Sequence, residues 1–299
     1  MDRKTLIEIL GPFPTKVDLN PTILESTGYD DYIQEKVEYN VEPNERVKAY
    51  ILIPKDLKGK RAVAFCHHQH ASDYNLGKSQ VVGLAGDPNQ AYAKELAERG
   101  YITFAPDAIA FEERNWHSNK ESWWGVEYFE LATRLIRGQT LLAKVLHDIS
   151  VGIDYLISRP EVNKQKIGFI GHSYGARMAM TTPVFDRRVK AAVANCYFVS
   201  YRSNLDKEKE VRIPMEFCVP NILQHGDIGD IVRLIEPCSL YLSAAADDKW
   251  SQDAKEIYDY AKPAFKQGEL KLKIWPTRHA FTKEMRQEAY AFLDKHLLN

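Results

Sequence analysis

Cysteine is scarce in these 299 residues: Cys66, Cys196, Cys218 and Cys238 are all there are. None falls in a C-x-x-C pair, so the sequence offers neither a redox dithiol nor a zinc ribbon, and four reduced, buried thiols are expected. Excess charge of one sign is also missing. Lysine and arginine total 40 against 41 aspartates and glutamates, a formal net charge of -1. That balance gives nucleic acid or an anionic membrane no footing as a partner. No apolar run approaches the length of a bilayer span, and there is no internal repeat, low-complexity tract or linker rich enough to divide the chain. The opening stretch MDRKTLIEILGPFP lacks a secretory leader's pattern, because Glu8, Gly11 and Pro12 interrupt its short apolar run. A cytoplasmic globular protein is expected. The sequence leaves room for a homo-oligomer.

What the chain does have, from residue 47 onward, is an alternation of apolar, β-rich runs with amphipathic helical ones. VKAYILIP, RAVAFCH, YITFAPD, KIGFIGH, VKAAVANCY, CSLYLSAAA and KLKIWP read as strands. Several are continuously hydrophobic, as strands covered on both faces are. Between and after them lie AYAKELAERG, LLAKVLHDISVGIDYLI, ARMAMTT, SQDAKEIYDYAK and TKEMRQEAYAFLDKHLL, which read as helices. The pattern predicts a mostly parallel, twisted sheet wrapped by helices on both sides. Residues 1–46 differ: a short helix near residues 4–10, then punctuated sequence, then EKVEYNV, which should pair with VKAYILIP as an antiparallel hairpin at one edge. The reading is one domain, in which residues 1–46 are an N-terminal extension and edge strand and residues 47–299 the α/β body. Insertions at about 111–138 and 197–237 interrupt the alternation. Both follow strand ends, so both should lie at the edge of the sheet where ligands bind. The first carries Trp116, Trp123, Trp124, Tyr128 and Phe129. As a group they are expected to wall an apolar pocket, although any one could simply pack the insertion down.

The most specific feature is Gly171-His172-Ser173-Tyr174-Gly175, between the apolar run ending at Ile170 and a helical run starting at Ala176. Strand, sharp turn and helix with a serine at the turn make a G-x-S-x-G nucleophile elbow. The glycines let strand and helix approach where the serine backbone is strained. A serine hydroxyl needs a base, and the base needs a group to orient it. The base candidate is His279, in the loop between KLKIW and the last helix. It is the one histidine that both follows a strand and lies downstream of an acid candidate. The acid is the pair Asp247-Asp248, after CSLYLSAAA; one should hold the His279 ring and the other cap a helix or face solvent. For the oxyanion, one backbone N–H should come from Tyr174. The other should come from the loop after RAVAFCH, from His70 or, second, Gln69. His67, His68 and His70 together raise the question of a metal, but no further ligand stands at recognisable spacing and no H-E-x-x-H occurs. Neither metal nor cofactor is expected.

These residues resemble the α/β-hydrolase superfamily, and within it the dienelactone-hydrolase and acetyl-xylan-esterase-like branch, from about VEYNVEPNERVKAYILIP to the C-terminus. Besides the elbow, Gly100-Tyr101 with Ala105-Pro106-Asp107 resembles the branch's RGY…APD stretch. Arg159-Pro160-Glu161-Val162 resembles its SRPEVD turn, and His279-Ala280-Phe281 its HGF ending. The family's acid stands in G-x-x-D; with Ala245 at the glycine position, the resemblance puts the acid at Asp248. Where the family reads H-G-x-G, this chain reads His68-Gln69-His70-Ala71, with neither glycine kept. The resemblance implies an α/β-hydrolase fold and a serine esterase acting on a small-molecule ester through an acyl-enzyme. A prolyl-oligopeptidase-like peptidase and a non-catalytic binding protein on the same fold are the other readings.

Overall fold

The computed structural model describes residues 1–116 and 125–298. Nine strands form one sheet: β1 (Thr22–Gly28), β2 (Tyr32–Glu42), β3 (Glu45–Pro54), β4 (Arg61–His67), β5 (Ile102–Pro106), β6 (Val162–His172), β7 (Val189–Asn195), β8 (Ser239–Ala245) and β9 (Leu270–Trp275). Their spatial order is β1-β2-β3-β5-β4-β6-β7-β8-β9. From β5 to β9 every pairing is parallel, whereas β1, β2, β3 and β5 pair antiparallel. The expected hairpin is β2–β3, with Asn40 opposite Arg46 near its turn.

Strand β1 is a further finding, lying outside the hairpin as the edge strand. All seven of its residues are exposed, so TILESTG carries no inside–outside alternation from which a strand could be read. Its partner β2 does alternate, burying Val37, Tyr39 and Val41 on one face.

Two hydrophobic cores sandwich the sheet. Successive residues of the central strands feed opposite sides, as the two-residue period of a strand requires. Phe65 and Phe169 enter one core with the Leu141–Ser158 and Tyr174–Phe185 helices. Ala64, Cys66 and Ile170 enter the other with the Tyr92–Glu98 helix and the C-terminal helix, Lys283–Leu297. The Phe65 and Phe169 rings stack at 4.9 Å across the β4–β6 pair. All four cysteines are free thiols and three are buried. Among the described residues no helix is long and apolar enough to cross a membrane.

The parallel strands share one direction, so the loops after β4, β6, β7, β8 and β9 leave the same edge. His70, Ser173, Asn195, Asp248 and His279 all follow or end those strands. The 111–138 insertion holds a helix at Gly125–Ile136. The 197–237 insertion is broken into short helices.

Candidate active site

Ser173 ends the elbow with φ 56° and ψ -113°, a conformation that non-glycine residues rarely adopt. Its N–H donates to the Asn195 carbonyl (2.8 Å), and its carbonyl accepts from Ala176 (2.9 Å). The flanking glycines have steric reasons. A Cβ on Gly171 would overlap the Gly175 backbone, and one on Gly175 would overlap the His67 carbonyl. Tyr174 opens the following helix, so its N–H has no helical partner four residues back and stands at the positive end of the helix dipole.

The structure brings Asp248 and His279 together. His279 Nδ1 donates to Asp248 Oδ2 at 2.9 Å, leaving Nε2 as the ring's acceptor. Asp248 is buried. Its carboxylate also accepts from Ser251 Oγ (2.7 Å) and the Trp250 N–H (3.0 Å). Burial alone would raise this carboxyl, but those bonds and the neighbouring His279 outweigh it and hold the group below its ordinary range. Asp247 is exposed, and its N–H donates to the Thr277 carbonyl. Among the described residues no hydrogen bond joins Ser173 Oγ to His279. The ring of His172, the residue before the serine, is 4.8 Å from that of His279.

Two residues that the sequence did not single out brace this rim. The Asn195 amide donates to His172 Nδ1 (2.8 Å) and to the Ala280 carbonyl (2.8 Å). It thereby ties the end of β7 to the elbow and to the His279 loop. A lone polar side chain closing the apolar strand VKAAVAN is the signal that marks it. Cys196, next along, is buried, and burial pushes its thiol up to about 12, so no thiolate competes with Ser173.

The three histidines after β4 separate. His67 and His68 turn into the body, where burial lowers them to about 3 and about 4. His68 Nε2 accepts from the Ala108 N–H (3.1 Å) and its Nδ1 donates to the Gln69 carbonyl (2.8 Å). The His70 ring instead packs edge-on to Tyr74 (5.1 Å) and Phe111 (5.0 Å). The loop turns without glycine because Ala71 (φ 49°) and Ser72 (φ 55°) take the left-handed conformation themselves. No hydrogen bond among the described residues uses the N–H of Gln69 or His70.

Of the insertion aromatics, Trp116, Tyr128 and Phe129 are at least half exposed, with Trp116 edge-on to Phe129 at 5.5 Å. Trp123 and Trp124 lie outside the described residues. The rings around the elbow are others: Phe111, Phe217 and Tyr197.

The stretch that carries the strained serine has relatives among known proteins. The model of the dienelactone hydrolase family matches residues 79–221, which contain the elbow. The structure resembles a putative acetyl xylan esterase from Bacteroides fragilis with a TM-score of 0.74 at 18% identity, covering 91% of this chain and 73% of that one. The chain has the α/β-hydrolase fold. A second structure, acetyl xylan esterase 1 from Thermoanaerobacterium sp., matches this chain with a TM-score of 0.65 at 16% identity over 99% of this chain and 98% of the other. By sequence, the Bacillus subtilis protein named "Putative hydrolase YtaP" is 26% identical over 236 residues, 79% of this chain and 76% of that protein.

Proposed function

We propose that this α/β-hydrolase is a serine esterase that cleaves a small-molecule carboxylic ester through an acyl-enzyme. The observation that carries the reading is the 2.9 Å bond from His279 to the buried Asp248 at the edge that also holds the Ser173 elbow. The family model and the esterase structures of the same fold support it.

In this reading His279 Nε2 takes the hydroxyl proton as Ser173 Oγ attacks the ester carbonyl. The tetrahedral oxyanion is met by the N–H groups of Tyr174 and His70. The bond to the alcohol oxygen then breaks, and the imidazolium returns its proton to that oxygen. Water repeats the sequence on the acyl-enzyme: His279 accepts its proton, the acid departs, and Ser173 Oγ regains the proton. Asp248 holds the ring in the required tautomer and offsets the imidazolium charge. Each oxyanion donor of this kind is worth about 3–4 kcal/mol in the transition state.

The test is a short-chain p-nitrophenyl ester together with a fluorophosphonate probe. A burst of p-nitrophenol and labelling of Ser173 are expected, both abolished in Ser173→Ala. Full activity in that variant would remove the assignment. Absence of both labelling and turnover would favour a binding protein. Turnover of a dipeptide amide faster than the matching ester would favour a peptidase.

A further inference from the structure

Behind the His70 loop lies a cluster that the reaction above does not use. Glu127, from the Gly125–Ile136 helix, and Glu216, from the second insertion, converge on the His70 ring, one ligand-type atom of each within 4.8 Å of the others. His70 Nε2 is 3.3 Å from both Glu127 oxygens, and the Tyr74 hydroxyl donates to Glu127 Oε2. Glu216 is only 2% exposed, and neither of its oxygens receives a hydrogen bond as an ionised carboxylate.

One imidazole and two carboxylates are chemically a set for a divalent metal. The donor–acceptor accounting argues otherwise. His70 Nδ1 accepts the Ser72 N–H at 3.0 Å, so the ring carries its proton on Nε2, the nitrogen that faces Glu127. A protonated nitrogen cannot ligate a metal. The deficit is then of a proton. Two adjacent buried carboxylates cannot both hold charge, and one proton on Glu216, shared with Glu127, supplies the missing hydrogen bond.

We propose that Glu127, sharing one proton with Glu216, is the positioning residue of the oxyanion loop, fixing through His70 and Tyr74 the backbone that presents the His70 N–H. The role in turnover rests on the serine-esterase reading; the shared proton does not. Around the pair stand His70, Tyr74, Tyr174, Arg177 and Cys218. Arg177 makes no ion pair with Glu216: it sits over the Tyr197 and Phe217 rings, with Nη2 donating to the Val199 carbonyl. Burial first, and then the charge of Glu127, push Glu216 well above the carboxylate range. Burial would raise Glu127 too, but hydrogen bonds from His70, Glu216 and Tyr74 hold it down. The arrangement links both insertions to the loop under the reacting carbonyl. Glu127 touches no substrate in it and acts only through His70 and Tyr74.

The experiment uses the full chain. Infrared spectra at neutral pH should show the carbonyl band of a protonated carboxyl in the wild type and in Ser173→Ala, and lose it in Glu216→Gln. Metal analysis of the same samples should find no stoichiometric ion. In Glu127→Ala, kcat should fall about 10–100-fold, part of what loss of an oxyanion donor costs, with KM within about twofold. Affinity for a boronic-acid transition-state analogue should fall in step, and affinity for the product acid should not. Glu216→Gln, whose amide still donates to Glu127, should lose far less than Glu216→Ala. A bound metal ion, or no protonated-carboxyl band lost in Glu216→Gln, would overturn the shared proton. Equal losses of analogue and product affinity in Glu127→Ala would overturn the positioning role and reduce the residue to general support. Each of these readings is distinct from a failure of the esterase assignment, which Ser173→Ala tests by itself.

Discussion

The side-chain amide of Asn195 donates to the carbonyl oxygen of Ala280 across 2.8 Å. Its second partner, His172 Nδ1, lies in the elbow itself. One buried amide at the end of β7 therefore sets the spacing between the serine turn and the histidine loop. Removing it in Asn195→Ala takes one donor from the half-buried Ala280 carbonyl and one from the buried His172 Nδ1, which costs about 1–3 kcal/mol. Urea unfolding should show that loss, and kcat should drop by more than KM rises, because only the transition state needs the two loops in register. An unchanged kcat in a folded Asn195→Ala protein would show that the bond does not set this geometry.

Asp247 and Asp248 are adjacent in sequence but differ in environment. Asp248 is buried with three donors on it, and Asp247 is exposed. In Asp248→Asn the side chain can present an N–H to His279, which favours the wrong ring tautomer, so kcat should fall about 10³–10⁴-fold. Asp247→Asn should leave kcat within about twofold. Rates on one p-nitrophenyl ester check both, and comparable losses in the two variants would break the assignment of roles.

Acid should weaken the fold through histidines that stay neutral inside it. Burial, then the neighbouring His279, lowers His172 from 6.5 to about 3. Burial, then His68, lowers His67 likewise to about 3, and burial lowers His68 to about 4. Below pH 6.5 the unfolded chain takes up these protons and the folded chain does not, so stability falls as pH falls. The slope is about 1.4 kcal/mol per pH unit for each group until its folded value is reached. Asp248 adds its own loss only below its ordinary 3.8. Urea midpoints measured at steps from about pH 7 down to about pH 4.5 should decline, and His172→Asn should flatten the slope by about one group's share. A flat profile would mean the folded protein also charges these rings.

The parts of the site that were legible in the sequence are those encoded locally. Ser173 is marked by its neighbours within two residues, because the steric demand of the turn is met by Gly171 and Gly175. His279 and Asp248 could be placed because each directly follows an apolar strand. Asp248 could be preferred to Asp247 only by resemblance, since burial is not a property of either residue alone. Strand β1 was not legible, because an edge strand exposed on both faces lacks the alternation that reveals the others. Glu127 and Glu216 were beyond reach for a different reason. They lie 57 and 146 positions from His70, in two separate insertions, and only the folding of both onto one sheet edge brings them to it.

Two glycines should respond very differently to one added methyl group. Gly138 takes φ +70°, and a Cβ there would meet nothing within 4 Å, so Gly138→Ala should cost only the left-handed conformation, about 1 kcal/mol. Gly175 lies in the first turn after Ser173, where a Cβ would run into the His67 carbonyl. That carbonyl is itself held by the Tyr92 hydroxyl at 2.5 Å, and β4 is fixed between β5 and β6, so the strand cannot retreat. The helix must move instead, carrying Tyr174 N–H and Ser173 with it. Gly175→Ala should therefore cost about 3 kcal/mol or more and reduce fluorophosphonate labelling of Ser173 even in the fraction that remains folded. Thermal melts and labelling rates of the two variants side by side provide the check. Similar small losses in both would mean that the elbow has more room than the contact between Gly175 and His67 allows.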